Sequence, residues 1–473
     1  MAVHRRQLLA AAGLPWLGAG SGAWMSTPAR AGPLDFSPAD LAHAARLRDA
    51  ALKDHQALEL VRSLTQDIGT RPAGSAADAK AVAWAVARCQ ALGLQNVRAE
   101  PFDLRVWRRG PASAQVVAPE RFDLVLAALG NSVGTPEDGL EGEIAFYDSY
   151  AALKADTSDR AKGRIVFVDQ RTARSRDGAG YSAAAPARFG SAVEAARRGA
   201  IAVVIRSIGT DFERIAHTGS MRYDDAAARI PAVAVSVPDA DRIAAMQARG
   251  PVRLKLQVAT QIAVPAQSAN VIAEVQGTDL ADEVVLLGAH HDSWDLGEGA
   301  VDNAAGVGIV CAAAALIRAG GQAPRRTIRV VLFGNEENGF DGALAYGKRY
   351  GAQRHQLVSE SDFGAGPVYA LRSRVAGAAR PAFEAMAGVL APLGVPMAGN
   401  DGTPGPDGAV LMRRHRWPGV ELSQDGTAYF DVHHTVHDSF ARMDARALPQ
   451  NVACWAVVAW LAAQSPLAFE PAG

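Results

Sequence analysis

The apolar positions along this chain change period several times, and the changes divide it. From Leu34 to about Cys89 they recur at helical spacing, interrupted by "IGTRPAGS" (Ile68–Ser75), a Gly/Pro-rich turn. "CQALGLQNVRAEPFDL" reads as a helix ending at Gly93 with an extended segment after it. Beyond "WRRG" (Trp107–Gly110) the short β-like runs "FDLVLAALG", "GEIAFYD" and "GRIVFVD" alternate with turns. "FGSAVEAARRGAIAVVIRS" then predicts helix, turn and buried strand, and "IPAVAVSV" a further strand. Long alternation returns at "VPAQSANVIAEVQG" (Val264–Gly277) and leads into "DEVVLLGAHHD". From there strands and helices alternate: Val284–Ala289, a helix after Asp302, "RTIRVVLFG", and a helix through Tyr350. That is the pattern of an α/β sheet with buried strands. The expected organisation is one α/β domain in two segments, 34–109 and 263–473, around an inserted β-rich domain at 110–262. No internal repeat or low-complexity tract stands out beyond alanine enrichment.

Composition adds exclusions. With 473 residues, 49% hydrophobic and 21% charged, the chain has the make-up of a soluble globular protein of two or three domains. A net charge of -1 gives no reason to expect nucleic acid or an anionic membrane surface as partner. Cys89, Cys311 and Cys454 have no regular spacing; buried free thiols are expected, with one pair left open. The N-terminus, "MAVHRRQLLAAAGLPWLGAGSGAWMSTPARAG", has paired Arg5 and Arg6, an apolar stretch from Leu8 to about Ala23, and the A-x-A signal Ala29-Arg30-Ala31. The stretch is broken by Pro15 and falls short of the roughly 20 residues of a membrane helix. Residues 1–31 are therefore expected to be a signal peptide of twin-arginine type, leaving a periplasmic or secreted mature chain without a membrane span.

The chemistry concentrates at strand ends, where sites form in open α/β sheets. The first strand ends at His290, with Asp292 two residues on, and Asp302 is placed to cap the following helix. "GNEENG" presents adjacent Glu336 and Glu337, "QLVSESDFG" ends at Asp362, and "FDVHHTVHDS" carries His433, His434 and His437. Each piece alone has a plainer reading as a solvated loop; their joint occurrence in this order favours a site. Imidazole and carboxylate without thiolate suit zinc, or a related divalent ion, in a catalytic centre. Two metals about 3.5–4 Å apart could share Asp302 as a bridging carboxylate. One of the adjacent glutamates would bind metal while its neighbour, turned the other way, takes a proton from water.

"HHDSWDLGEGAVDN", "GNEENG", "SESD" and "HHTVHDS" resemble the di-zinc exopeptidase family that includes bacterial secreted aminopeptidases and glutamate carboxypeptidase, and the resemblance runs from about Ile68 to the end. It implies a mixed-sheet, phosphorylase/hydrolase-like α/β domain with an inserted domain of protease-associated type, and two Zn2+ per chain. It makes His290 and Asp362 ligands of one zinc, Glu337 and His434 of the other, Asp302 the bridge and Glu336 the general base. Asp292 would orient the His290 ring. Many relatives carry Tyr immediately before the last ligand. Here His433 stands there, so either His433 stabilises the oxyanion or the zinc ions do so alone. His437 and Asp438 are either partners of the ligands or polar loop residues, and His291 should point away from the metals.

The implied reaction is hydrolysis of a terminal bond in a peptide or dipeptide, by an aminopeptidase or dipeptidase. Three rivals stay open. A carboxypeptidase needs a cationic pocket, which the sequence does not locate among its arginines. A glutaminyl-cyclase-like acyltransferase is disfavoured by the insertion. A non-catalytic binding protein would be expected to have lost ligands. The insertion should shape substrate access and supply no ligand; its His217, in "AHTGS", is either part of that role or a surface turn. A homodimer is compatible with the sequence, which does not decide it.

Overall fold

The computed structural model of the protein describes residues 36–473; the leader expected over 1–31 lies outside the described residues. At the centre, the strand Leu280–His290 runs parallel to Arg326–Phe333 on one side and His355–Glu360 on the other. Gly419–Gln424 continues the parallel set, and Val368–Arg374 pairs antiparallel beyond it. On the other flank Arg253–Val275 joins Arg326–Phe333 antiparallel, so the sheet is mixed.

Side chains alternate between the faces of a strand, and here both faces are covered. Val285, Leu287 and Ala289 enter one core with the helices Pro38–Ala51, Gln56–Ser63, Ala305–Ala319 and Leu448–Gln464. Val284 and Leu286 enter another, against Asp341–Tyr350 and Pro406–His415. The run Ala300–Ala319 is long and apolar enough to cross a membrane by length and composition, yet it is buried within the protein, where its side chains serve packing. Cys89, Cys311 and Cys454 are buried free thiols.

The two halves of the molecule share a ribbon. Gln95–Ala118 and Arg253–Val275 pair antiparallel from Gln95 opposite Glu274 to Ala118 opposite Arg253. The expected boundaries at 110 and 262 fall inside these strands. The reason lies in what covers them: along Arg253–Val275 alternate residues are buried as far as Val258, the middle is largely open, and every residue from Ser268 on is buried. A change of cover reads in the sequence like a change of domain. Between the ribbon strands, Leu140–Tyr147, Ile165–Val168, Ala202–Arg206 and Ala232–Val235 form a parallel set. Parallel neighbours need long crossovers, supplied partly by the helix Ala179–Arg197. The segment is therefore α/β and not merely β-rich, with one core of its own and a second that also takes in Trp107 and Trp294.

Candidate metal centre

Four parallel strands deliver the expected residues to one edge. His290 ends its strand; Glu336 and Glu337 follow Arg326–Phe333; Asp362 follows His355–Glu360; and the chain after Gly419–Gln424 turns through a short helix, Tyr429–Val432, to His433 and His434. Asp302 arrives from the tight turn before Ala305–Ala319.

The side chains form two donor sets that share Asp302. His290 Nε2 lies 3.1 Å from Asp302 Oδ1 and 3.3 Å from Asp362 Oδ1. His434 Nε2 lies 3.1 Å from Asp302 Oδ2 and 3.2 Å from Glu337 Oε2. Donor atoms of His290, Glu336 and Asp362 also fall within 4.8 Å of one another, which puts Glu336 beside the first set. His433 stacks on His434 with ring centroids 3.5 Å apart, its Nε2 3.5 Å from Asp302 Oδ2.

The surrounding hydrogen bonds aim these groups; they revise two expectations and separate two residues left open. Asp302 does not cap the helix. Its neighbour Asn303 accepts the Gly306 N–H (3.0 Å) and donates to the Ser361 carbonyl (2.8 Å), which leaves both Asp302 oxygens facing the histidines. Asp292 orients His290 mainly through its backbone: His290 Nδ1 donates to the Asp292 carbonyl at 3.1 Å, with the carboxylate at 3.5 Å. The carboxylate accepts the amides of Glu336 (3.1 Å) and Glu337 (3.4 Å), so it fixes the two glutamates. Asp438 and His437 part company. Asp438 accepts the amides of Val301 (2.7 Å) and Asp302 (3.2 Å), whereas His437 pairs with Glu213 at 2.9 Å, away from the donor sets. His291 turns away as expected, onto Asp78 at 3.0 Å.

His217 is no surface turn. It is buried, and its Nδ1 donates to the His433 carbonyl at 2.9 Å while Nε2 faces Asp211 at 2.5 Å. Next to it, the Thr218 amide donates to the His434 carbonyl (3.0 Å), and His434 Nδ1 meets the Thr218 carbonyl (3.4 Å). A proton on Nδ1 leaves Nε2 as the free lone pair, the tautomer a metal requires. His434 adopts φ +61°, a sparsely populated region for a residue with a side chain, and these contacts hold it there. Sequence reasoning also missed Arg71, fully buried, whose guanidinium donates to the carbonyls of Gly69, His291, Glu298 and Gly299 and so pins the loop after His290. Only the "RP" of a Gly/Pro-rich turn marked it.

Electrostatics express an excess of negative charge. Burial pushes the Glu336 and Glu337 carboxyls well above the usual range, and nearby carboxylates add to this. Burial and the Asp302 charge bring Asp438 up to about 7. Asp302 goes the other way: burial would raise it, but hydrogen bonds from His290 and His434 hold it well below. These residues fit zinc. The donors are imidazole and carboxylate, as catalytic zinc sites use, and Glu337 Oε1 is buried without any hydrogen-bond donor among the described residues. A cation between the sets would satisfy it.

Comparison with known proteins places this arrangement. Residues 270–459 match the model of peptidase family M28. Carboxypeptidase Q of Bos taurus is 32% identical over 414 residues, 86% of this chain and 85% of that one. The chain belongs to peptidase family M28. The crystal structure of a peptidase M28 precursor from Shewanella amazonensis SB2B is 44% identical, with a TM-score of 0.89 over 92% of this chain and 99% of that one. A zinc aminopeptidase from Bacillus subtilis shares the fold at 19% identity, with a TM-score of 0.60 over 85% of this chain and 94% of that one. As an M28 protein the chain is a zinc-dependent metallopeptidase.

Proposed function

We propose that this metallopeptidase is an exopeptidase with two zinc ions, removing the N-terminal residue of dipeptides and short peptides. The observation that carries it is the pair of donor sets meeting at Asp302. His290, Asp362 and one Asp302 oxygen would hold one ion; Glu337, His434 and the other Asp302 oxygen would hold the second. When bound, the ions supply Lewis acidity and lower the pKa of the attacking water. Glu336, held by the Asp292 carboxylate through its amide, accepts the water proton and delivers it to the leaving amine. Burial raises its carboxyl towards the range in which such a shuttle works best. His433, kept neutral by burial and the adjacent His434, is the donor offered to the developing oxyanion.

The segment 110–262 acts in this reading as an inserted, protease-associated-type domain. Its support is that Thr218 and His217 hold the histidine loop while the segment supplies none of the proposed ligands. Carboxypeptidase Q and the precursor form of the Shewanella relative, together with the Arg5-Arg6 leader, support export from the cytoplasm. Elemental analysis of purified protein is expected to give two zinc ions per chain. Stripping them with a strong chelator is expected to abolish cleavage of alanyl-alanine, and zinc to restore it. Full activity in excess chelator overturns the reading.

A further inference from the structure

Past Asp362 the cavity over the donor sets opens into a side chamber of about 480 Å³. The two spaces share the walls Phe340, Asp362, Phe363 and Pro406, whereas Asp302, Glu336, Glu337 and His434 line the main cavity alone. The chamber wall carries Glu360, the last residue of the strand His355–Glu360 and 6% exposed. Its Oε2 accepts the Gly408 amide at 2.8 Å, and its Oε1 is buried with no donor among the described residues. Asp407, beside the wall residue Pro406 and fully buried, has both oxygens without a donor as well, which deepens the negative potential there.

The Glu360 carboxylate is held in place from two sides. The helix Pro406–His415 starts after Gly405, which offers no side-chain cap, and Glu360 supplies one from the strand beside it. The positive end of the helix favours the anion. Gly405, at φ +64°, leaves the space that Glu360 fills, since a Cβ there would come within 2.5 Å of Oε2 and 2.7 Å of the Glu360 Cβ. One oxygen is thus committed to the helix and the other is unanswered. A buried carboxylate short of a donor is costly, and a cationic group from a ligand completes it. Apart from the ligand Asp362, the other charged groups of the chamber are answered or exposed. Glu421 accepts the Ser423 hydroxyl (2.5 Å) and the Thr403 amide (2.9 Å). Asp177 is exposed and accepts the Ala179 amide at 3.0 Å. Arg413 is exposed too, where solvent screens its charge.

We propose that the chamber receives the side chain of the substrate's N-terminal residue and selects a cationic one, lysine or arginine, through Glu360. The proposal rests on the exopeptidase reading above and names the substrate class of that same site. Glu336 returns its proton to the leaving amine and lines the main cavity only, so the leaving residue stays there, and the residue on the acyl side of the bond points past Asp362. Glu360 stands two residues before Asp362, at most about 7 Å along the chain. An alanine side chain stops short of its carboxylate. A lysine or arginine stem lies along Phe340 and Phe363 and brings its charged head to Oε1.

The test compares kcat/KM for lysyl-alanine, glutamyl-alanine, alanyl-alanine and 2-aminoheptanoyl-alanine, whose pentyl side chain has the length of lysine's without the charge. Zinc content is measured on every sample. Wild-type protein is expected to prefer lysyl-alanine over the pentyl analogue on the order of 10²-fold, as for a buried charge pair losing one partner. In zinc-loaded Glu360→Gln that preference is expected to fall towards one, mainly through KM, and Glu360→Asp to recover part of it. Thr403→Lys, at an exposed position on the chamber wall, adds a fixed ammonium and is expected to lower kcat/KM for lysyl-alanine several-fold. Arg413→Ala is expected to keep the preference. A wild-type preference near one overturns the proposal whatever the variants do, and leaves the peptidase reading intact because both dipeptides are then cleaved. Fastest cleavage of glutamyl-alanine, lost in Arg413→Ala, would put an anion in the chamber and overturn it. So would a lysine preference that survives both Glu360→Gln and Thr403→Lys. If zinc-loaded wild type cleaves none of the four, the exopeptidase reading fails, and this proposal with it.

Discussion

The two ends of the central sheet are both buried and both polar, yet they are built on opposite terms. At the amino ends of the parallel strands the buried charged groups find partners within the chain. Arg326 pairs with Glu283 and donates to the Ser465 carbonyl, and Arg329 pairs with Glu274 and donates to Tyr346 and Gln353. His355 meets the Tyr346 hydroxyl at 2.8 Å and stacks on Trp417 at 3.6 Å. At the carboxyl ends, carboxylates outnumber their donors: Glu337 Oε1 has none, and Glu336, Glu337 and Asp362 are all raised, burial being the largest cause. Buried polarity by itself therefore does not mark function in this protein. What sets the carboxyl ends apart is a cluster of buried carboxylates short of donors on the wall of one cavity.

The largest effect that would sharpen this contrast lies at the carboxyl end. Glu336→Gln keeps shape and removes the proton acceptor, so zinc should stay bound while kcat falls by about 10²–10⁴-fold or more. Glu337→Gln should instead release or loosen one zinc, partly restored by excess metal. The reverse pattern, metal lost from Glu336→Gln and retained in Glu337→Gln, would exchange the two roles.

At the amino end the same kind of substitution should act on stability alone. Arg329→Met strands the buried Glu274 carboxylate, and breaking such a pair costs about 3–5 kcal/mol. Urea unfolding reads the loss, while zinc content per folded chain should stay at the wild-type value. Metal loss in this variant would show that the two ends are coupled and break the comparison.

The smallest effect is confined to acid. Burial lowers His355 to about 3, whereas in the unfolded chain it titrates near the ordinary value of 6.5. Between those values the unfolded state binds the extra proton, so His355 contributes stability above about pH 6.5 that is lost as pH falls towards 3. His355→Gln should flatten that part of the stability profile and change little at pH 7. An identical acid limb in both proteins would remove His355 as its source.

Much of the expected centre was legible because its residues sit where short-range patterns end. A buried strand announces itself by an apolar run, and His290, Glu336 and Asp362 follow three such runs directly. The domain edges expected at 110 and 262 fall within one ribbon because alternation reports which faces are covered, and the cover changes along strands that are themselves unbroken. The capping role given to Asp302 passed to Asn303 because adjacent Asp and Asn are equally good caps by type, and only the direction of the chain decides between them.

The sequence by itself thus determined the order of strands and helices, the donor types and the family resemblance, because periodicity and spacing are local properties of the chain. Tertiary structure alone decided which groups meet. Thr218 lies 216 residues from His434, whose Nδ1 it faces, Arg71 lies 220 from the His291 carbonyl it holds, and Asp438 lies 136 from the Asp302 amide it fixes. It also decided that the buried Arg188 meets Tyr181 and, among the described residues, no carboxylate. Pairing across such separations depends on how the whole chain packs, and no pattern read within one segment can specify it.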